Sequence, residues 1–358
     1  MEYMFYDCSN LKTITINKTL FTTNEVENMN DMFSGCNSLI SFDFSGFDTS
    51  SVKTMDRMFY SCSRITLIDI TSFNSNNLES MNEMFYNCFE LKKINFSPNF
   101  KKTYVREMNY AFTNCKTLRS LDLSYFQLNN VKNFESLFEG CSNLYEIKFN
   151  GNTSIANAIN MKKMFSGCYN LNSLDLNNFY TRYVTDMSQM FKDCISLRNL
   201  NLESFDTSKV IDMSYMFEGC GSLKKLDLSS FNTVSVKYMN NMFHGCSSLI
   251  SLNVANFSTE NEEDISNINI NLMNFDTQNV KNMSGMFDSC SRLRSLKFTE
   301  KFVFTNVVDT SYMFRNVKSV SSLDLSKHSF ENLEKMQNMF QGMNSLYELD
   351  LAELNPTI

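Results

Sequence analysis

Residues 28–36 read NMNDMFSGC, and close copies of this stretch return along the whole chain. Residues 55–62 read MDRMFYSC, and residues 239–246 read MNNMFHGC. The phenylalanine of the stretch, Phe33, has counterparts at intervals of 26 or 27 residues, apart from one interval of 28 and one of 44. Self-similarity at a fixed period of this length is the signature of a repeat protein. The sequence therefore predicts thirteen copies of one structural unit.

The composition of the 358 residues is that of a folded protein with an acidic surface. Hydrophobic residues make up 43% and charged residues 20%, which is enough apolar surface to bury a core. The net charge is -7 and the basic residues are scattered, which argues against nucleic acid as a partner. The sequence has no apolar run of about 18 residues, so we expect no membrane-spanning helix. The residues after Met1 do not show the charged segment followed by an apolar segment that is typical of a secretory signal.

The first half of each unit has the period of a helix. In one copy, Val52, Met55, Phe59 and Cys62 recur at the spacing of one helical face. The stretch 48–50, Asp-Thr-Ser, has residue types that cap helix N-termini. The residue before the cysteine position is Gly, Asn, Asp or Ser in every copy, and these types mostly tolerate a left-handed backbone. We therefore expect a helix of about three turns that ends there.

The second half of each unit has the period of a strand. Leu226 and Leu228 alternate with a polar residue, as they would in a short strand with one buried face. A single unit cannot bury its apolar face, but stacked neighbours can. The sequence therefore predicts an α/β repeat fold: a curved, leucine-rich-repeat-like solenoid of about thirteen 26-residue strand–helix coils. We expect the strands on the concave side and one domain over residues 1–358.

The full pattern, V-x-x-M-x-x-M-F-x-G-C-x-S-L-x-x-L-D-L-S-x-F-D-T-S, is nearly complete in residues 210–234 and recognisable from residue 1 to 354. It resembles the repeat of the BspA-like leucine-rich repeat family, also described as the DUF285 or mycoplasma-lipoprotein type repeat. Members are typically surface proteins of bacteria and of some parasitic protists, linked with adhesion. The resemblance implies a cell-surface or extracellular protein that binds a host or neighbouring-cell protein.

The cysteine and methionine columns could be metal ligands, disulfides, a recognition surface or core. One cysteine per coil does not converge on a point as metal ligands must, and His244 and His328 are too few to complete such sites. Cysteines that project in parallel suit disulfide geometry poorly. Methionines that share a face with valine and phenylalanine are typical of core. We predict buried reduced thiols, a buried methionine stripe, and no metal or cofactor.

The outward residue of each strand is the first candidate binding site. It is acidic at Asp69, Asp122, Asp175, Asp227 and Asp324, and Asn or Lys stands between several of these. Like charges on adjacent strands destabilise a sheet, so the alternation relieves repulsion. One interpretation is a solvated concave face with its charges spaced. The other is a polar ladder that binds a basic protein patch or Ca²⁺.

The long interval contains the second candidate, an insertion around residues 258–275. It carries an acidic run, Glu260, Glu262, Glu263 and Asp264, followed by alternating apolar residues. The run predicts a partial repeat preceded by an exposed acidic loop. Both a binding element and a tolerated duplication remain open.

No nucleophile triad, phosphate-binding loop or dinucleotide motif is present, so we expect no enzyme. The predicted function is a non-enzymatic protein–protein interaction or adhesion module that binds through the strand face or the insertion. The alternative is a structural protein that self-associates head-to-tail into filaments. Neither end of the repeat looks capped: the chain opens at Met1-x-x-Met4-Phe5 and closes after Leu349 and Leu351.

Overall fold

The computed structural model describes residues 1–17, 20–102, 104–149, 155–236, 238–239, 241–249, 251–253, 283–285, 287–288, 296, 298 and 302–351. They group into two compact units, Met1–Phe179 and Tyr180–Ile358. The prediction of one domain over 1–358, and that of a curved stack, stay predictions. The insertion around 258–275 lies outside the described residues. In the described part of the chain, no helix is long and apolar enough to cross a membrane.

Short parallel strands form one side of the coils, as the sequence predicts. The first unit contains β1 (Leu67–Ile70), β2 (Lys93–Phe96), β3 (Ser120–Asp122), β4 (Glu146–Lys148) and β5 (Ser173–Leu174). The second contains β6 (Asn199–Leu200), β7 (Lys225–Asp227), β8 (Ser251–Asn253), β9 (Ser322–Asp324) and β10 (Glu348–Asp350). In β1, Ile68 and Ile70 are buried while Leu67 and Asp69 are exposed. The ten strands of the described residues are fewer than the thirteen copies of the motif, so that number of coils is not confirmed.

The helical half of the prediction is wrong. The described residues contain no α-helix, only two 3-10 segments at Pro98–Lys102 and Leu128–Asn130. The segment with the Met-x-x-Met-Phe motif is instead a run of tight turns. Two of its residues, four positions apart, are left-handed: Arg57 with φ 53° and Ser61 with φ 57°, and this pair recurs along the described chain. A left-handed residue in the middle of the motif interrupts an α-helix.

The backbone hydrogen bonds explain why turns replace the helix. The N–H groups of Phe33 and Gly35 donate to Met58 O at 2.9 Å and Tyr60 O at 2.8 Å, both in the next coil. The intervening groups donate three residues back in their own coil, as Cys36 N–H does to Phe33 O at 3.0 Å. An α-helix would direct all of these donors four residues back in its own chain segment. The turns therefore free every second N–H to join one coil to the next.

The left-handed position before the cysteine is where the sequence predicts it. It is occupied by Gly35 with φ 78° and by Asn87 with φ 59°, for example. At Gly219 an added Cβ would collide with the side chain of Asp193 in the preceding coil. Glycine at that position therefore permits the close approach of two coils as well as the backbone conformation.

The phenylalanine of the motif forms ring stacks inside each unit. Neighbouring ring centroids are 5.3 to 5.7 Å apart and the rings are within 15° of parallel. Met55, Met58 and Cys62 around the stack have no exposed surface. The stacks run Phe5–Phe33–Phe59–Phe85–Phe112–Phe138–Phe165 in the first unit, and Phe191–Phe217–Phe243 and Phe287–Phe314–Phe340 in the second. The predicted methionine core is confirmed for the described methionines other than Met1, Met4 and Met336.

The Asp-Thr-Ser stretches do not cap helices, which corrects a second expectation. Asp206 Oδ1 accepts the Ser208 N–H at 3.0 Å and so closes a turn. Thr207 is buried, and its Oγ1 donates to Asn232 O at 2.9 Å and accepts the Asn232 N–H at 2.8 Å. Thr207 thus joins two neighbouring coils by bonding both the N–H and the C=O of Asn232.

We predict that Thr207→Val lowers the free energy of unfolding by about 1–2 kcal/mol, because the isosteric side chain loses both hydrogen bonds. Urea denaturation measures this change. Ser75→Ala is the matched control: Ser75 occupies the same column and is buried, but its Oγ has no hydrogen-bond partner in the described residues. We expect the control to change stability by less than about 0.5 kcal/mol. Equal losses in the two variants would contradict the role assigned to Thr207.

Candidate interaction surface

The outward side chains of the strands form an exposed surface on each unit, here called the strand face. The five aspartates predicted as a binding ladder are all exposed on it. In the first unit the strand face consists of Leu67, Asp69, Lys93, Asn95, Ser120, Asp122, Glu146, Lys148, Ser173 and Asp175. In the second unit it includes Lys225, Asp227, Ser322, Asp324, Glu348 and Asp350.

Each of the five aspartates also closes a turn, which the sequence analysis missed. Asp69 Oδ1 accepts the Thr71 N–H at 3.1 Å and its hydroxyl at 2.7 Å. Asp324 Oδ1 accepts the Ser326 N–H at 2.9 Å and its hydroxyl at 2.6 Å. Asp122, Asp175 and Asp227 accept the N–H two residues further on in the same way. One carboxylate oxygen therefore belongs to the fold; the recurring Asp-x-Ser/Thr/Asn pattern is its signal in the sequence.

Hydrogen bonds lower the pKa of two of these carboxylates, Asp69 and Asp324. The Thr71 hydroxyl, followed by the Asn95 amide, lowers the pKa of Asp69. Asn95 Nδ2 donates to the second oxygen, Asp69 Oδ2, at 2.9 Å. The Ser326 hydroxyl likewise lowers the pKa of Asp324. Both groups are therefore anionic at neutral pH.

The strand register separates most of the acidic residues. The facing residues are Asp69 with Asn95, Asp122 with Lys148, and Asp227 with Asn253. Only the pair of Asp324 and Asp350 places like charges opposite each other among these registers. The alternation seen in the sequence thus corresponds to neighbours across the sheet, as expected from charge repulsion.

The strand face carries both signs of charge, because each strand presents a second outward residue. Lys93 and Lys225 lie two positions before the ladder residue of their strands and are exposed. Lys148 lies 3.5 Å from Glu146 on the same strand. The sequence analysis missed this second column, although extending the two-residue period by one step would have found it. The surface is therefore mixed in charge, with more lysines than the ladder positions alone supply.

The Ca²⁺ interpretation of the ladder and the acidic insertion both stay predictions. Within the described ranges, no group of three or more His, Cys, Asp or Glu side chains is placed to hold a metal ion. The acidic run of the insertion, Glu260, Glu262, Glu263 and Asp264, lies outside the described residues.

The cysteine column packs the core and contributes a hydrogen bond of its own. Ten cysteines lie in the described part of the chain as reduced thiols, and all but Cys8 are buried. Cys62 Sγ–H donates to the carbonyl of Phe33 in the preceding coil at 3.1 Å, and other cysteines repeat this contact. Burial raises the pKa of the Cys36 and Cys246 thiols to about 12, so they stay protonated and able to donate. The prediction of buried reduced thiols is confirmed for the described cysteines other than Cys8.

Charged pairs on the turns also join neighbouring coils. Arg57 donates to both oxygens of Asp31, with Nε–Oδ1 and Nη2–Oδ2 distances of 2.9 Å. In the second unit, Glu218 lies 2.7 Å from Lys192 Nζ and 3.3 Å from His244 Nδ1. The hydrogen bond with Glu218 raises the pKa of His244. These charges satisfy one another within the fold, so the strand face is the better candidate for contact with a partner.

Comparisons with known proteins support the repeat assignment. The family model described as "Mycoplasma protein of unknown function, DUF285" matches residues 1–102, 68–173, 159–269 and 261–355. No curated protein matches the chain.

Several solved structures are similar to the chain at low identity. A leucine-rich repeat protein from Bacteroides ovatus is 18% identical over 90% of this chain and 75% of that chain, with a TM-score of 0.48. A leucine rich cell surface protein from Faecalibacterium prausnitzii is 14% identical over 87% of this chain and 79% of that chain, with a TM-score of 0.45. A leucine-rich repeat protein from Eubacterium ventriosum is 13% identical over 93% and 79%, with a TM-score of 0.39.

We predict that mild iodoacetamide treatment of the folded protein at pH 8 labels Cys8 and spares the nine buried described cysteines. The thiolate is the reacting species, and burial suppresses it. Peptide mass spectrometry measures the labelling site by site, and the unfolded protein, in which all eleven cysteines should react, is the control. Disulfide-linked peptides, or equal labelling of Cys8 and Cys62, would contradict the packing described.

Proposed function

The chain belongs to the DUF285 family, and from that premise we propose that it is a non-enzymatic interaction module that binds a protein partner through its strand face. The observation that carries the proposal is the contrast between that face and the rest of the coil. Backbone groups, threonines, cysteines and turn charges are hydrogen-bonded between coils. The strand face presents charged and polar side chains at regular spacing, and Asp122 uses only its Oδ1 to close its turn.

The chemistry of the face suggests a protein with side chains of both charges. Lys93 and Lys225 accompany Asp69 and Asp227 on the outward side of the strands. A polyanion would meet the carboxylates as well as the lysines, so the mixed pattern disfavours nucleic acid. Complementary charges of both signs increase the specificity and the association rate of a complex more than its affinity.

An apolar contact is available beside these charges in the first unit. Ile40 is 46% exposed and Leu67 is 42% exposed. They lie in adjacent coils, because the Thr66 N–H donates to Ile40 O at 3.4 Å. Protein interfaces typically combine an apolar centre with a polar rim. We therefore place the centre of the proposed contact at Ile40 and Leu67.

The family resemblance supports a place at the cell surface, with a host protein, a neighbouring-cell protein or a second copy as the partner. The insertion around 258–275 is a second proposed contact, since insertions in repeat proteins sometimes carry binding. The alternative function, head-to-tail assembly, would use the ends of the stack and not the strand face.

The test uses Asp122→Asn and Asp175→Asn together with Lys93→Gln. Asparagine keeps the oxygen that closes each turn, so we expect the melting temperature to stay nearly unchanged. Peptides selected from a phage-displayed random library on the wild-type protein serve as the probe. We expect about tenfold weaker binding to the triple variant, since each contact charge contributes roughly 0.5 kcal/mol.

The matched control is Asp48→Asn. Asp48 is also exposed and also closes a turn, accepting the Ser50 N–H at 2.9 Å, but it is not one of the outward strand residues that form the strand face. The Asp48→Asn variant should bind the selected peptides as tightly as the wild type does. Undiminished binding by the triple variant, or an equal loss in the control, would reject the strand face as the contact surface.

A further inference from the structure

The fold gathers basic residues that are far apart in the sequence. Three consecutive coils of the first unit carry exposed basic side chains in the loop between the cysteine and the strand. In the stretches 63–66, 89–92 and 116–119, Glu90 is the only acidic residue. The basic residues of these stretches, here called the basic cluster, are Arg64, Lys92, Lys116 and Arg119. A protein whose net charge is -7 thus has one local surface of positive charge.

The basic cluster is not neutralised within the fold. No ion pair joins any of its side chains to another residue in the described part of the chain. Lys92 and Arg119 occupy the same position of adjacent coils, where like charges repel each other. Their coils are adjacent because Thr117 Oγ1 donates to Leu91 O at 2.9 Å. Unlike the ion pairs of the turns, this arrangement costs stability, so it favours a ligand that supplies negative charge.

Apolar side chains stand at both ends of the row that contains Lys92 and Arg119. On one side, the Lys92 N–H donates to Thr66 O at 2.9 Å, and the Thr66 N–H donates to Ile40 O at 3.4 Å. On the other side, the Tyr145 N–H donates to Arg119 O at 2.9 Å. Ile40 and Tyr145 are each 46% exposed. Four steps of about 4.8 Å, the spacing of adjacent strands, separate them, so the row is about 20 Å long.

We propose that this row binds an extended acidic segment of the protein partner, which has carboxylates against Lys92 and Arg119 and an apolar residue against Ile40 and Tyr145 at each end. This inference rests on the proposed function and specifies the chemistry of the partner. An extended chain advances about 3.3–3.6 Å per residue, so about six residues span the row. The other two residues of the basic cluster increase the positive potential beside it. A sulfated polysaccharide offers the same charge but no apolar side chain for Ile40, which favours the peptide.

The test measures the fluorescence anisotropy of labelled hexapeptides added to the full chain. The acidic probe has four Asp and Glu residues between a leucine and a phenylalanine, and the neutral probe has Asn and Gln in their place. We expect the acidic probe to bind about tenfold more tightly than the neutral one, because each exposed ion pair adds a small increment. Raising the salt concentration from about 0.05 to about 0.5 M should remove most of this difference by screening.

The variant Lys92→Gln with Arg119→Gln should bind the acidic probe about fivefold more weakly and the neutral probe as the wild type does. Arg106→Gln with Lys132→Gln is the matched control, because it removes the same two charges. Arg106 and Lys132 are exposed and lie in adjacent coils of the same unit, where the Lys132 N–H donates to Arg106 O at 3.1 Å, but they are not part of the basic cluster. The control variant should bind both probes like the wild type.

Equal affinity of the wild type for the two probes, or equal losses in the two double variants, would overturn the proposal. Tighter binding of a sulfated oligosaccharide with four charges, lost in the variant of Lys92 and Arg119, would overturn it in favour of a polysaccharide. The variants that test the strand face leave all four residues of the basic cluster in place. Failure of the acidic probe would therefore reject this segment and leave the proposed strand-face contact standing.

Discussion

The hydrogen bond from every second N–H of the turn segment to a carbonyl in the next coil is the interaction on which the rest of the structure depends. Phe33 N–H to Met58 O and Gly35 N–H to Tyr60 O are two of its repeats. To point alternate donors along the stack, the backbone must reverse its local hand twice in each coil, at positions such as Asp31 and Gly35. These bonds set the separation of the coils, and the phenylalanine rings follow at 5.3 to 5.7 Å.

This constraint also divides the polar side chains into two groups. Buried ones supplement the junctions: Thr207 bonds both polar groups of Asn232, and Cys62 bonds the carbonyl of Phe33. The exposed aspartates close turns with one oxygen and face outward from the strands, as Asp122 does. At Asp122 one carboxylate oxygen closes the turn, and the proposed function assigns the other to a partner.

The sequence predicts the repeat, the buried columns, the short strands and the left-handed position before each cysteine. It predicts the wrong local structure for the methionine segment, since tight turns of three and four residues give Val52, Met55, Phe59 and Cys62 the same spacing as one face of a helix. The first left-handed position carries no compositional signal, because it is occupied by residues such as Arg57.

Side-chain chemistry is ambiguous in the same way. Asp-Thr-Ser is suited both to a helix N-terminus and to a turn with an inter-coil threonine, and only the backbone partners distinguish them. The sequence analysis followed one outward residue per strand, the position of the five ladder aspartates, and left out the outward residue two positions earlier, such as Lys93. The structure therefore adds charged side chains of both signs beside the predicted polar ladder.

The measurement that tests the central claim most directly compares two glycine substitutions in the turn segment by urea denaturation. Gln189 is left-handed with φ 59°, whereas the backbone of Lys162, in the preceding coil, is not left-handed. Glycine relieves the strain of a left-handed residue, so Gln189→Gly should raise the free energy of unfolding by about 1 kcal/mol. Lys162→Gly should lower it by about 0.5–1 kcal/mol through the loss of backbone entropy on folding. If Gln189→Gly instead destabilises the protein as much as Lys162→Gly does, the segment is helical and the account of the coil junctions is contradicted.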